Sequence, residues 1–201
     1  MYAAEIQNSV LYYLLEFEKL STPVRQVTKD GQVSWMPPNE DTYKINIDGS
    51  FFAGARTGGW GFIIWDSNGE MLAADAGNIV YAASALQTEA LAAYKGIQHA
   101  AQLGMMNIVI ETDATVLASA LKSVQIDRSP VGCLIRQIRD FMRSEFASYI
   151  VSVYNRKCNL VAHCLATHGA CVLGSDSTMF MSQAPGFVTE LLYGDLPKSS
   201  A

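Results

Sequence analysis

The sequence lacks both a long apolar run and an excess of positive charge. Its 201 residues carry 14 Lys and Arg against 19 Asp and Glu, a formal net charge of −5. No apolar stretch approaches the roughly 20 residues that cross a bilayer, and no basic residue precedes the apolar N-terminal stretch, as one would in a signal peptide. We therefore expect a soluble, intracellular protein without membrane association, whose binding to nucleic acid must depend on local basic patches.

Cysteine signatures of disulfide frameworks and zinc sites are also missing. None of the 4 cysteines forms a C-x-x-C pair. The cysteines are Cys133, Cys158, Cys164 and Cys171, and His163 and His168 lie among the last three. A zinc site is conceivable there, but no standard ligand spacing is matched. We interpret these side chains as reduced, mostly buried thiols that pack in a helix.

Half of the residues are hydrophobic, enough for one domain with a sizeable core. Residues 1–40 are predicted to form an amphipathic N-terminal helix and a linker, and Trp35 is expected to anchor this linker to the domain. Residues 41–172 form the predicted domain. Residues 173–201 form a C-terminal tail, in which Phe187, Leu191 and Leu192 could dock as a short helix.

Within the domain the apolar pattern changes from strand to helix spacing and back. In chain order it predicts strands Tyr43–Phe52, Trp60–Asp66 and Glu70–Asn78, a helix from the Ser84–Gln87 capping box to Gly104, strand Asn107–Thr112, helices after Asp113 and Pro130, strand Tyr149–Tyr154, and a helix from Asn159 to about Val172. Three consecutive strands with short links favour an antiparallel meander. We expect an α/β fold with a mixed sheet flanked by helices on both faces.

Three carboxylates occupy comparable places on different predicted elements: Asp48 within the first strand, Glu89 near the start of the first long helix, and Asp113 at the end of the fourth strand. Each has a structural explanation of its own. Asp48 with Gly49 could form a turn or bulge, Glu89 could be an acid of the first helical turn, and Asp113 could be an N-cap. The turn or bulge at Asp48 is the weakest of these explanations, because a carboxylate among apolar strand residues needs a partner such as a cation.

The motifs around these acids resemble the ribonuclease H superfamily, and most closely its plant reverse-transcriptase-like, ribonuclease-H-type group, which is related to non-LTR retroelements. The resemblance lies in Lys44–Ser50, Gly59–Asp66, Gln87–Ala93 and Ile110–Ala114, with Trp35–Pro38 and Pro185–Asp195 similar to the flanks. The motifs are individually loose, but their order and spacing make them jointly specific. The resemblance implies a ribonuclease H-like sheet of five strands, three antiparallel and then parallel.

The resemblance also implies a two-metal-ion mechanism. In it, Asp48 bridges two Mg²⁺ or Mn²⁺ ions, and Glu89 and Asp113 each hold one of them. The usual substrate of the family is the RNA strand of an RNA–DNA hybrid, which is recognised through backbone shape and the 2′-hydroxyl.

His163 departs from the family pattern. Asn159–Ala166 is similar to the family's last helix, but His163 stands where a fourth carboxylate is expected. Imidazole suits Mn²⁺ or softer metals better than Mg²⁺. His163 could remain a metal ligand or general base, its presence could leave an impaired domain that only binds, or it could be a packed or surface histidine without a role. The plant group often carries His at this position.

Basic residues concentrate between positions 122 and 157, where seven basic and three acidic residues leave a net charge of +4. Arg136, Arg139 and Arg143 share one predicted helical face and could follow a phosphate backbone, or they could simply be solvated. Arg156 and Lys157, in the loop before the last helix, could touch phosphate. Near the first acid, Asn46 and Ser50 are further candidate contacts to the backbone or to a 2′-hydroxyl.

The sequence thus predicts a metal-dependent endonuclease acting on RNA in RNA–DNA hybrids. Two alternatives belong to other classes. One is a non-catalytic nucleic-acid-binding module derived from such an enzyme, and the other is a protein-interaction adaptor that uses the N-terminal helix as its contact surface.

Overall fold

The computed structural model describes residues 35–123, 125, 128–171, 180–181 and 185–188. The expected N-terminal helix, most of the expected linker, and Leu191 and Leu192 of the tail lie outside these residues. The N-terminal helix that a protein-interaction adaptor would use as its contact surface is therefore also outside the described residues.

A mixed sheet forms the centre of the domain. Its strands are β1 (Tyr43–Phe52), β2 (Thr57–Trp65), β3 (Met71–Ile79), β4 (Asn107–Thr112), β5 (Ser148–Val153) and β6 (Phe180–Met181). They lie in the order β5-β4-β1-β2-β3-β6. The meander β1-β2-β3 is antiparallel, whereas β4 runs parallel to β1 and β5 parallel to β4. The expected mixed sheet is confirmed, and the two-residue strand β6, paired with β3, is an addition to the five expected strands.

Four helices follow the predicted order: α1 (Ala85–Gln102), α2 (Thr115–Lys122), α3 (Pro130–Glu145) and α4 (Leu160–Cys171). A single 3₁₀ turn, Arg156–Cys158, leads into α4. The capping box at α1 forms, but its second hydrogen bond reaches one residue before the N-cap. Ser84 Oγ accepts a hydrogen bond from the Gln87 N–H at 3.2 Å, while Gln87 Oε1 accepts one from the Ala83 N–H at 2.7 Å rather than from Ser84.

Helices pack on both faces of the sheet because small residues allow close approach. On one face, a Cβ on Gly96 of α1 would lie 2.9 Å from Ile45 Cγ2. On the other face, a Cβ on Gly61 of β2 would lie 2.4 Å from the backbone nitrogen of Ala166 in α4. Successive strand residues point to opposite faces, so Phe62 joins the α1 side of the core while Gly61 admits α4.

Trp35 anchors the chain before β1, as the sequence predicts. Its ring is buried and lies 4.9 Å from the ring of Trp65. Lys44 Nζ sits 5.0 Å from the Trp35 ring centroid, donates to the Met36 carbonyl, and pairs with Glu111 at 2.8 Å. Glu111 is therefore a structural carboxylate, neutralised within the fold.

The tail and the cysteines differ in part from expectation. Residues 186–188 begin a helix, with Val188 buried and Phe187 stacked on His168 at 4.5 Å. Cys133 is exposed and the other three cysteines are half-buried, so the expectation of mostly buried thiols is wrong, although none of the four forms a disulfide. Within the described residues, every helix is too short or too polar to cross a membrane.

Candidate metal centre

Asp48 and Asp113 come together because β1 and β4 are parallel neighbours. Asn46 is paired with Glu111 in their register. Two residues further along each strand, this register leads to Asp48 and Asp113 at the same edge of the sheet. Asp48 is still part of β1, and Asp113 lies just beyond the end of β4.

Glu89 joins them from α1, and Gly49 makes this possible. A Cβ at position 49 would lie 2.4 Å from the backbone nitrogen of Glu89 and 2.5 Å from the carbonyl carbon of Thr88. The missing side chain therefore lets the first part of α1 rest directly on β1, next to Asp48. As a result, carboxylate oxygens of Asp48, Glu89 and Asp113 all lie within 4.8 Å of one another.

The separate structural explanations for the three acids do not apply. The β1–β2 register runs through Asp48 and Gly49 without interruption, so no turn or bulge forms there. Glu89 lies beyond the first turn of α1, which contains no acid. The N-cap of α2 is Ala114, not Asp113. A turn or bulge, an acid of the first helical turn and an N-cap therefore do not account for the convergence of the three acids.

Electrostatics at the cluster favour a bound cation. Burial, together with the charges of Asp48 and Asp113, raises the pKa of Glu89 to about 9, partly offset by a hydrogen bond from the Gly49 backbone and by Arg156. Burial and the charge of Asp48 also raise the pKa of Asp113. Glu89 Oε2 is buried without a hydrogen-bond partner. An all-oxygen ligand set with an unsatisfied buried oxygen fits a hard divalent cation such as Mg²⁺ or Mn²⁺.

His163, on α4, contacts the cluster through Asp48. Its Nδ1 lies 2.7 Å from Asp48 Oδ2, and its Nε2 lies 3.2 Å from Nη2 of Arg156. The same Nη2 atom lies 3.4 Å from Nδ1, so Arg156 contacts both ring nitrogens of His163. His163 is half-buried and contacts both Asp48 and Arg156, and its role as a metal ligand or general base stays a prediction.

Arg156 reaches the same cluster from the 3₁₀ turn. Its Nη1 lies 3.9 Å from Asp113 Oδ2, and its side chain is 64% exposed. Lys157, the next residue, is also exposed. Within the described residues, Arg156 is the residue that forms an ion pair with Asp113.

Asn159 has a positioning role that the sequence did not predict. Its Nδ2 donates to the Ile47 carbonyl at 2.9 Å, and its own carbonyl accepts from the His163 N–H at 3.1 Å. It therefore ties the start of α4 to β1, one residue before Asp48. The available signal was an Asn directly before a predicted helix, four residues before His163.

Asn46 is not a nucleic-acid contact in this structure, contrary to expectation. It is 3% exposed. Its Oδ1 accepts from the indole N–H groups of Trp65 and Trp35 at 3.0 and 3.4 Å, and its Nδ2 donates to Glu111 at 3.1 Å. Asn46 is thus held by buried hydrogen bonds to Trp35, Trp65 and Glu111. Ser50, two residues after Asp48, is half-buried.

The expected stripe on α3 is interrupted at its middle residue. Arg136 and Arg143 are exposed, but Arg139 is buried and donates to the carbonyls of Ser123 and Gln125. Arg139 therefore secures the chain after α2 and is not available to phosphate. Arg143 pairs with Asp140 at 3.2 Å, with both side chains more than half exposed.

Comparison with known proteins gives a consistent result. The family described as reverse transcriptase-like matches residues 46–169. An Arabidopsis thaliana protein named "Putative ribonuclease H protein" is 26% identical over 145 residues, which is 72% of this chain and 23% of that protein. The chain therefore spans about a quarter of the length of this relative.

Solved structures match the fold at low identity. The N-terminal RNase H domain of a Mycobacterium tuberculosis protein superposes with a TM-score of 0.59 at 18% identity, covering 64% of this chain and 93% of that one. RNase H1 of Halobacterium salinarum gives 0.59 at 19%, with 64% and 96% covered. LC11-RNase H1, solved in complex with an RNA/DNA hybrid, gives 0.56 at 16%, with 61% and 92% covered. The fold is ribonuclease H-like.

Proposed function

This chain belongs to the reverse transcriptase-like family, and we propose that it is a metal-dependent endonuclease that hydrolyses the RNA strand of RNA–DNA hybrids by a two-metal-ion mechanism. One observation carries the proposal: oxygens of Asp48, Glu89 and Asp113, which come from three different elements, lie within 4.8 Å of one another. Three carboxylates held this close repel one another unless cations or protons intervene. The relatives named above, including one solved with an RNA/DNA hybrid, support the substrate class.

In this mechanism Asp48, Glu89 and Asp113 would hold two Mg²⁺ or Mn²⁺ ions. Bound divalent cations polarise a phosphodiester and lower the pKa of a coordinated water. Burial, and after it the charge of Asp48, raises the pKa of both Glu89 and Asp113, so Asp48 acts on each of the other two acids. Glu89 holds a proton near neutral pH in the metal-free protein and must release it to act as a ligand. The imidazole of His163, whose Nδ1 lies 2.7 Å from Oδ2 of Asp48, keeps that carboxylate oriented.

The substrate backbone contacts exposed or half-buried polar groups. The candidates are Ser50, Arg156 and Lys157, together with Arg136 and Arg143 on α3. Nη1 of Arg156 lies 3.9 Å from Asp113 Oδ2, and a guanidinium can bind a phosphate through two parallel hydrogen bonds. With an overall charge of −5, the protein depends on this local set of basic residues for binding.

The decisive experiment is cleavage of a hybrid whose RNA strand is end-labelled, with Mg²⁺ and with Mn²⁺. We expect cuts within the RNA strand, and none in the DNA strand, in duplex DNA or with chelator present. Asp48→Asn keeps the shape of the side chain but removes its charge, and it should abolish cleavage with either ion. Cleavage that survives in Asp48→Asn, or wild-type protein that cuts with neither ion, would refute the nuclease assignment.

A non-catalytic binding module is the second candidate, and the contact between His163 and Asp48 favours it. An imidazole that occupies Oδ2 of Asp48 competes with a cation for that oxygen. In this case wild type and Asp48→Asn bind the hybrid equally well at low salt, and neither cuts it.

A further inference from the structure

Arg156 stands in an unusual position for a substrate-binding side chain, because its guanidinium already has partners within the acidic cluster. Nη1 lies 3.9 Å from Asp113 Oδ2. Nη2 lies 3.2 Å from Nε2 of His163, whose other nitrogen contacts Asp48 at 2.7 Å. The guanidinium is thus linked to two of the three acids, one directly and one through the imidazole.

The charge of Arg156 acts on the cluster in the way a metal ion would. It favours the ionised forms of both Glu89 and Asp113, against the burial that raises their pKa values. A divalent cation held by the same acids would lie within a few ångströms of the guanidinium and repel it. Metal ion and guanidinium therefore compete for the same negative charge.

The side chain of Arg156 can leave this position without disturbing the fold. It is 64% exposed and is carried by the short 3₁₀ turn before α4. Among the described contacts, its side chain bonds to Asp113 and His163, and neither bond involves the backbone of a helix or strand. A phosphate of a bound nucleic acid offers a guanidinium a stronger, two-point contact than a carboxylate at 3.9 Å.

We propose that Arg156 is an internal counter-cation that competes with divalent metal for the negative charge of the acidic cluster, and that it moves to a nucleic-acid phosphate when the metal enters. This role rests on the proposed nuclease function and extends it. Binding of metal and binding of nucleic acid then favour each other, because each removes the guanidinium from the position the other requires. Linkage makes this coupling reciprocal.

The test measures Mn²⁺ binding to the full chain without nucleic acid, from the paramagnetic resonance signal of free Mn²⁺. Arg156→Gln should bind Mn²⁺ about fivefold more tightly than wild type, the size of one unit-charge interaction a few ångströms away in a well-solvated site. Arg156→Lys keeps the charge and should stay close to wild type. Lys157→Gln removes the same charge one residue further along and should produce a clearly smaller change.

A second measurement uses a duplex of DNA with 2′-O-methyl RNA as a cleavage-resistant probe, checked by gel to stay intact. With Mn²⁺ present, Arg156→Gln should bind this probe about fivefold more weakly than wild type. The same substitution thus strengthens metal binding and weakens nucleic-acid binding. Loss of a purely structural side chain would not strengthen metal binding.

Two results overturn the proposal: unchanged or weaker Mn²⁺ binding in Arg156→Gln, or tighter Mn²⁺ binding with no loss of affinity for the probe. The first leaves Arg156 as a plain phosphate contact or a structural residue. If both effects occur but wild type cuts no hybrid, the role of Arg156 stands and the nuclease function falls. If no variant binds Mn²⁺, both fall together.

Discussion

The Nδ1 of His163 lies 2.7 Å from Oδ2 of Asp48, although 115 positions separate the two residues in the chain. The contact exists because Asn159 fastens the start of α4 to β1, so that His163, one turn later, faces the acid. The resemblance described for the sequence implies a fourth carboxylate at this position, whereas this chain has an imidazole that contacts Asp48 and Arg156.

The first prediction concerns the choice of metal. His163→Asp supplies the missing oxygen ligand and should raise activity with Mg²⁺ relative to Mn²⁺, because Mg²⁺ prefers oxygen donors more strongly. The measurement is the ratio of hybrid-cleavage rates with the two ions. His168→Asn is the matched control, because His168 lies on the same helix but stacks on Phe187. If His163→Asp leaves the ratio where wild type has it, His163 has no part in metal selection.

The second prediction concerns the pH dependence of stability without metal. The pKa of Glu89 is about 9 in the folded chain against 4.5 for a free Glu side chain. Below the lower value both states are protonated. Between the two values the unfolded chain loses the proton while the folded chain keeps it, so the free energy of unfolding falls as the pH rises. Each unit of difference corresponds to about 1.4 kcal/mol.

Denaturant titrations from pH 5 to pH 9 in chelator measure this effect. Glu89→Gln cannot ionise and should lose most of the pH dependence. Asp113, whose pKa is also raised, contributes in the same direction. A wild-type protein whose stability rises steadily over this range would contradict the assignment.

The third prediction concerns the proton that Glu89 carries near neutral pH. Metal binding at pH 7 should release about one proton per protein, because Glu89 must deprotonate to become a ligand. Calorimetry in two buffers with different ionisation enthalpies counts this proton. Above the pKa of Glu89 the release should disappear, which provides a control within the same protein. No release at pH 7 would mean that Glu89 is already ionised or is not a ligand.

Much of this architecture follows from local pattern. The period of the apolar residues predicts every strand of the β1–β5 sheet within a few residues, since alternation and helical spacing are strong signals in buried elements. The three acids could be singled out because their order resembles a known family and because Asp48 interrupts an apolar strand. Their convergence needs the parallel pairing of β1 and β4, which sequence spacing alone does not determine.

Roles that depend on side-chain packing were harder to predict. Asn46 and Arg139 are polar residues that looked available for a ligand, yet both are buried in bonds to distant groups. Helical spacing predicted that Arg136, Arg139 and Arg143 share one face, but it could not show that Arg139 turns inward while the other two stay exposed. The shared contact of Arg156 with Asp113 and His163 arises only when three separate elements meet.

The fourth prediction tests the close approach of α1 to β1. In Gly49→Ala the new methyl group would meet the backbone of Glu89 at 2.4 Å, and backbone cannot give way as a flexible side chain can. We expect a loss of about 2 kcal/mol in stability together with weaker metal binding, because Glu89 is pushed away from Asp48. Gly54→Ala is the control, because a Cβ there has nothing within 4 Å. Equal effects of the two substitutions would show that the approach at Gly49 is unimportant.

The fifth prediction separates the structural arginine of α3 from the exposed ones. Arg139→Met leaves the carbonyls of Ser123 and Gln125 without their donor, and it should cost about 1–3 kcal/mol of stability. Its effect on hybrid binding should be small at temperatures where the variant is folded. Thermal unfolding and hybrid-binding titrations on the same samples distinguish the two effects.

Replacing Arg136 and Arg143 together by Gln should weaken hybrid binding and leave stability nearly unchanged. Both side chains are exposed, and the ion pair that Arg143 makes with Asp140 is a surface pair that contributes little to stability. If both residues contact phosphates, the slope of log affinity against log salt should become shallower by about 2, because two fewer counterions are released on binding. An unchanged slope would identify this face of α3 as simply solvated, and it would limit the nucleic-acid surface to the residues around the three acids.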